Sequence, residues 1–276
     1  MAHPLLSAAV GGLLAGSVFA LVGLGVVLSA AAIRTVNLAV GEFYVLGGLV
    51  FYSLAAGAPP LLAAPAAVAA GAGCGLLVER CAIRPLRQAP LGTVVLVTTA
   101  AAWMLRGAAL LIWGRDPIAP PFPAPSVGPA GQTAAVIAWA LLCTAVLEVW
   151  LRRSHPGRAL RATADDPRAA AGAGVDPVAA ARTAFGMAGA LLAASALLAG
   201  PVTYLSYDGG VGLLLRGIGA GMIGGMRRPA GVYLGGVAIG LVESLTAALW
   251  SSLYKDAITF SLLILVLCFW RGGDET

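Results

Sequence analysis

Nine apolar runs, separated by short segments rich in arginine or proline, organise the chain. They cover residues 5–33, 43–58, 61–78, 91–114, 131–151, 184–205, 210–226, 230–250 and 257–270. A bilayer core needs about 20 apolar residues in helix to cross it. Most of the runs approach or exceed that length, while 43–58, 210–226 and 257–270 fall short. None shows the period-2 alternation of an outer-membrane barrel strand. Backbone polar groups in lipid must be satisfied within the segment, so helix is the reading. The pattern predicts an all-α, polytopic integral membrane protein with eight or nine transmembrane helices.

The polar residues between the runs set an orientation. With nine spans, one side holds Arg34, Arg80, Arg84, Arg87, Arg152, Arg153, Arg158, Arg161, Arg168, Arg182, Arg227, Arg228 and Arg271, 13 of the 17 basic residues. The other side holds Arg115 and Lys255, and Arg106 and Arg216 fall within runs. Cytoplasmic loops carry the excess of Lys and Arg. The first side is therefore expected inside, with the N-terminus outside and the C-terminus in the cytoplasm. The proline-rich loop 115–130 then becomes external, and its prolines favour extended, solvated chain. Either a stiff connector or a docking edge fits that loop, the connector better.

Composition narrows the function. Hydrophobic residues make up 59% and charged residues 11%, with a mean hydropathy of +0.91. A soluble domain is about 25% charged. The pI near 9.3 does not signal nucleic acid, because the arginines punctuate apolar runs and form no single stripe. Cys74, Cys81, Cys143 and Cys268 contain no CxxC pair, and the two histidines, His3 and His155, sit at polar edges. A zinc site, a disulfide framework and any other resident cofactor are not expected. No GxxxxGK[ST] occurs, so the chain has no P-loop of its own. The long first run, without a basic leader, does not read as a cleaved signal peptide.

The longest hydrophilic stretch is the loop 152–182. Residues 158–164 are good helix formers. Asp166-Pro167 pairs an N-cap Asp with a Pro at the first helical position, and Gly172 or Gly174 can end the turn that follows. Asp176-Pro177 repeats the start signal and leads into the sixth span. The loop is thus expected to hold a short helix lying crosswise between spans, shaped to dock into a groove on a cytoplasmic partner.

Inside the runs, Glu42, Arg106, Glu148, Arg216 and Glu243 are costly in lipid and must face protein or water. Arg216 with Glu243, or Arg106 with a carboxylate, could lock helices together; Glu148 lies one turn from Arg152. Residues 34–41 (RTVNLAVG) break the apolar pattern with Asn37 and Gly41 just before Glu42. Broken helices of this kind present backbone ends suited to a zwitterionic solute. Small-xxx-small pairs are dense, at Gly12/Gly16, Gly71/Gly75, Gly217/Gly221, Gly221/Gly225, Gly231/Gly235 and Gly236/Gly240, and predict close helix packing.

Several segments taken in order resemble one family: VNLAVGEFYVLGGLV (36–50), VERCAIRPLR (78–87), GRALRATADDPRAAAGAGVDP (157–177), GIGAGMIGGMRRPAGVYLGGVAIGLVESL (217–245) and YKDAITFSLLILVL (254–267). The chain is similar to the LivH-like permease subunits of bacterial branched-chain amino acid ABC importers. The resemblance implies a single transmembrane permease domain over 1–276 in the bacterial inner membrane. Its partners would be a second homologous permease, two cytoplasmic ATPases and a periplasmic or surface solute-binding protein. It implies that 157–177 couples to an ATPase, with Arg158, Arg161, Asp165, Asp166, Gly172 and Gly174 as contact or shaping residues. It also places Asn37, Glu42 and Tyr44 on the substrate path, where Arg216 and Glu243 are further candidates. Val40 stands where the family usually has His, and GGMRRPAG (224–231) where it usually has GGxGSxxGA; the solute could accordingly be a branched-chain amino acid or a related small polar molecule. An ion-driven carrier and a membrane-embedded enzyme are the alternatives. The enzyme lacks a Ser–His or Cys–His set within the spans.

Overall fold

The computed structural model describes residues 2–86, 89–124, 127–249, 257, 259–261 and 264. Among the described residues through 249, ten α-helices follow one another: α1 (Ala2–Ile33), α2 (Val40–Ala55), α3 (Pro60–Val78), α4 (Leu91–Trp113), α5 (Pro129–Arg153), α6 (His155–Asp165), α7 (Pro167–Gly172), α8 (Pro177–Thr203), α9 (Gly209–Gly224) and α10 (Pro229–Leu249). The first eight apolar runs of the sequence each become one of these helices. The ninth, 257–270, lies outside the described residues except for a few helical positions, as do Arg87, Lys255, Cys268 and Arg271. Among the described residues six helices are long and apolar enough to cross a membrane: Leu5–Ile33, Pro60–Leu86, Leu91–Trp113, Pro129–Arg153, Pro177–Thr203 and Pro229–Leu249. The other two apolar helices, α2 and α9, have 16 residues each, about 24 Å at 1.5 Å per residue. That falls short of a bilayer core of about 30 Å.

α1 is the central post. It packs along α10, α9 and α8, and glycines set the spacing. A Cβ on Gly16 would lie 2.6 Å from Val237 Cα, and one on Gly236 would lie 2.6 Å from the Ala20 nitrogen. Lipid tails are as apolar as leucine, so helices gain little from hydrophobicity alone and depend on this close fit. The pairs Gly71/Gly75 and Gly236/Gly240 serve such crossings, against α8 and α1. Gly225 does not. It has φ +80 and ends α9 as a left-handed cap, so its small-xxx-small spacing with Gly221 has no packing meaning.

Two local results differ from the sequence expectation. The third apolar run stops at Glu79-Arg80, yet the helix continues there as a π turn (Glu79–Ile83) and a 3₁₀ turn (Arg84–Leu86). Glu79 is buried, so its charge does not mark an exit into water. The proline-rich loop does not run free. Ile118 and Leu205 exchange two backbone hydrogen bonds of 2.8 Å, and Phe122 is buried. This ties the loop after α4 to the end of α8, which favours the connector reading.

Candidate functional site

Two breaks in the membrane-spanning pattern face each other. The first lies between α1 and α2, at residues 34–39. Arg34 adopts φ +55 and leaves the helix. Asn37 is fully buried, and its Oδ1 accepts from the Ala39 N–H at 3.0 Å, forming the Asx turn that starts α2. The Leu38 N–H donates to Thr98 Oγ1 at 3.4 Å. Thr98 is the eighth residue of α4, so α2 begins about 10 Å inside the start of α4 at 1.5 Å per residue. The second break, 204–208, separates α8 from α9. Tyr204 has φ +55 there, and Leu205 is held by Ile118.

The N-terminal ends of α2 and α9 touch. A Cβ on Gly41 would lie 2.7 Å from the Gly210 carbonyl carbon, and one on Gly210 would lie 2.6 Å from Glu42 Cδ. Only glycine at both positions admits this approach. Glu42 therefore lays its carboxylate on the first turn of α9 while occupying the first turn of α2. Helix N-termini carry partial positive charge, and a carboxylate between two of them is electrostatically favoured. Glu42 is 1% exposed, and its Oε2 has no hydrogen-bond partner among the described residues; Asn37 Nδ2 is likewise buried without one. Tyr44 is buried a half turn further along, its hydroxyl 3.3 Å from Thr203 Oγ1. Thr203 already donates to the Ala199 carbonyl, so Tyr44 is the donor to Thr203.

Arg216 and Glu243 do not join this group. They meet each other: Arg216 Nε is 2.7 Å from Glu243 Oε2, and Nη2 is 3.1 Å from Oε1. The guanidinium also lies over the rings of Phe19 and Phe260 and donates to the Gly212 carbonyl. This bidentate pair bolts α9 to α10, the locking arrangement that the sequence left open. Glu148 pairs with Arg152 one turn away at the end of α5.

The carboxylate expected near Arg106 is Asp208, a residue that the sequence alone does not single out. Arg106 of α4 lies 3.9 Å from Asp208, between the rings of Trp103 and Tyr207 at 5.3 and 5.5 Å. Asp208 stands two residues before Gly210, on which Glu42 lays its carboxylate. Asp208 lies two positions before the apolar run 210–226 and looks like an ordinary loop residue, because its partner is far away in sequence.

The loop 152–182 forms a capped helical pair. Ser154 starts α6, its Oγ accepting from the Gly157 N–H at 3.0 Å, a start the sequence reading missed. Gly157, Leu160 and Thr163 face inward. Asp166 starts α7: its Oδ1 accepts from the N–H groups of Arg168 at 2.8 Å and Ala169 at 3.1 Å. Those backbone donors hold its carboxyl below the ordinary value of 3.8. α7 ends as a Schellman motif: Val175 N–H bonds to Ala170 O, Gly174 N–H bonds to Ala171 O, and Gly174 has φ +83. Asp176 then caps α8 through the Val178 N–H at 2.8 Å. Arg158, Arg161, Asp165, Asp166, Gly172 and Gly174 are all exposed. A cavity of about 750 Å³ lies beneath α6, between the ends of α1 and α5 and the α9–α10 turn, where Arg227 reaches Asp165 at 3.5 Å. Arg161 and Asp165 line it; Asn37, Glu42, Tyr44, Arg216 and Glu243 do not.

A family model for the permease component of the branched-chain amino acid transport system matches residues 8–267. The high-affinity branched-chain amino acid transport system permease protein BraD of Pseudomonas aeruginosa is 28% identical over 96% of this chain and 93% of its own. LivH of Escherichia coli K12, described in the same words, is 27% identical over 95% and 92%. Among solved structures, PsaBC from Streptococcus pneumoniae in complex with Fab aligns with a TM-score of 0.52 at 9% identity, over 96% of this chain and 90% of that one. That last similarity is one of fold.

Proposed function

The chain belongs to the branched-chain amino acid transport permease family, and from that membership we propose that it forms one membrane half of an ATP-driven importer. It is a multi-pass transport component and not an enzyme. Its solute would be a branched-chain amino acid or a related small polar molecule. A second, homologous permease would complete the path, two cytoplasmic ATPases would drive it, and a periplasmic or surface binding protein would deliver the solute. The arginine-bearing end would face the cytoplasm of the bacterial inner membrane, with the N-terminus outside and the C-terminus inside.

The observation that carries this reading is the α6–α7 pair. It is an exposed helical element fixed at both ends by Ser154, Asp166, the Gly174 stop and Asp176, at the end of the bundle where arginines concentrate. A loop that only joined α5 to α8 would not need four caps. In this proposal Arg158, Arg161, Asp165 and Asp166 meet the ATPase, while Gly172 and Gly174 shape the turn. ATPase movement, transmitted through α6 and α7, would shift α5 and α8 and alternate the opening of the path. Asn37, Glu42 and Tyr44 would stand on that path at the two helix breaks, with the Arg216–Glu243 clamp in its wall. Deleting residues 169–174 is expected to abolish capture of the ATPase while membrane insertion stays intact. Undiminished ATPase capture by that variant contradicts the coupling role. Solute uptake by this chain in vesicles without ATPases would favour an ion-driven carrier instead.

A further inference from the structure

Arg106 and Asp208 are charged, lie within or beside apolar helices, and are still 22% and 50% exposed. Arg106 stands seven residues before the end of α4, about 10 Å from it at 1.5 Å per residue. Charged side chains at such depth do not face lipid. The face of α4 that carries Arg106, together with the 204–208 break that carries Asp208, must therefore meet water or protein. Their own contact is loose: 3.9 Å between Arg106 Nη2 and Asp208 Oδ2 is an ion pair without a hydrogen bond. Arg216, by contrast, engages Glu243 through two hydrogen bonds. The guanidinium of Arg106 is held in place mainly by Trp103 and Tyr207, which leaves its donors available to a ligand.

Next to this pair lies Glu42, buried, with Oε2 unpartnered, pressed on the first turn of α9 two residues after Asp208. A buried acceptor without a donor is costly. It persists where a ligand supplies the donor. We propose that Arg106, Asp208 and Glu42 form a binding step for a zwitterionic α-amino acid. Arg106 takes the carboxylate through its planar fork, and Asp208 with Glu42 Oε2 takes the ammonium group. The cluster offers a cationic donor fork on one side and carboxylate acceptors on the other, so only a ligand bearing both a carboxylate and an ammonium engages all three residues. The apolar side chain of the solute would lie against Trp103 and Tyr207.

This site rests on the importer reading above, and the test separates the two. Proteoliposomes holding the complete importer are supplied with saturating, leucine-loaded binding protein, and L-leucine moved and ATP hydrolysed are measured together. Arg106→Gln and Asp208→Asn are each expected to lower leucine moved per ATP at least tenfold. Arg106→Lys, which keeps the charge and loses the fork, is expected to fall between Arg106→Gln and the unmodified importer. An unchanged ratio in Arg106→Gln and Asp208→Asn overturns the site. So does a parallel loss of transport and hydrolysis, because it would assign the pair to assembly. An unmodified importer that hydrolyses ATP and moves no leucine contradicts the amino-acid form of the functional reading, and this site with it.

Discussion

Glu243→Gln tests whether Arg216 and Glu243 are a structural clamp. The substitution preserves shape and leaves the guanidinium of Arg216 opposite a neutral amide. Both side chains are nearly enclosed, at 13% and 12% exposure, and they share two hydrogen bonds, of 2.7 and 3.1 Å. Removing one partner of a buried pair costs about 3–5 kcal/mol, because the other charge is left uncompensated. Residual exposure, and the fact that an unfolded chain in a membrane also finds polar partners, place the cost near 3 kcal/mol. By the scaling of soluble domains that is on the order of 10 °C in Tm. The double variant Arg216→Met/Glu243→Met removes both charges. Methionine keeps an apolar contact with Phe19 and Phe260, so this variant should unfold within a few degrees of the unmodified protein. Thermal unfolding in detergent, followed by loss of monodisperse protein, reads all three. If Glu243→Gln unfolds with the unmodified protein, the clamp reasoning is wrong. If the double variant is stable, assembles and still transports nothing, the pair belongs to the path and not to its wall.

Gly210→Ala should be damaging out of proportion to its size, since its Cβ would meet the Glu42 carboxylate at 2.5–2.8 Å; overpacking costs about 1–3 kcal/mol, and reduced uptake with a lowered Tm would show it. Gly174→Ala puts a side chain on a residue at φ +83, at a cost of about 1–2 kcal/mol; faster amide exchange in 167–175 and weaker ATPase capture are expected. Asp166 titrates below its ordinary 3.8 because the N–H groups of Ala169 and Arg168 favour its charged form. Its cap on α7 is therefore fully present above that ordinary value and is lost as pH falls through the lower folded one. Amide protection of Arg168 and Ala169 should hold from pH 7 to 5 and drop only below about pH 4, and Asp166→Ala should remove it at every pH.

Much of the architecture was legible because lipid imposes a simple rule. A run of apolar residues must be helical there, and the first eight runs became α1–α5 and α8–α10. Local chemistry was legible for the same kind of reason. Asp166-Pro167 and Asp176-Pro177 encode caps within three residues, and both caps formed. Asn37 and Gly41 marked a break that is present. What the sequence hid depends on distant pairs. Gly41 and Gly210 meet across 169 positions, which brings the starts of two short helices together inside the bundle. Nothing local distinguishes Gly210 from the other glycines around it. Asp208 gains meaning only from Arg106 on another helix. The Ser154 cap is less legible because it stands directly after Arg152-Arg153 and before His155-Pro156, where the basic residues mark a membrane edge more strongly than a helix start.

The side of the membrane on which α6 and α7 lie decides whether they can couple to an ATPase. In a cysteine-free background, Arg168→Cys places a single thiol on exposed α7. A membrane-impermeant maleimide should label it in inside-out vesicles and leave it unlabelled in intact spheroplasts, with labelling slowed when the ATPases are bound. Labelling of Cys at position 168 from the outer face of intact spheroplasts would leave no ATPase able to reach it, and the coupling proposal would be wrong.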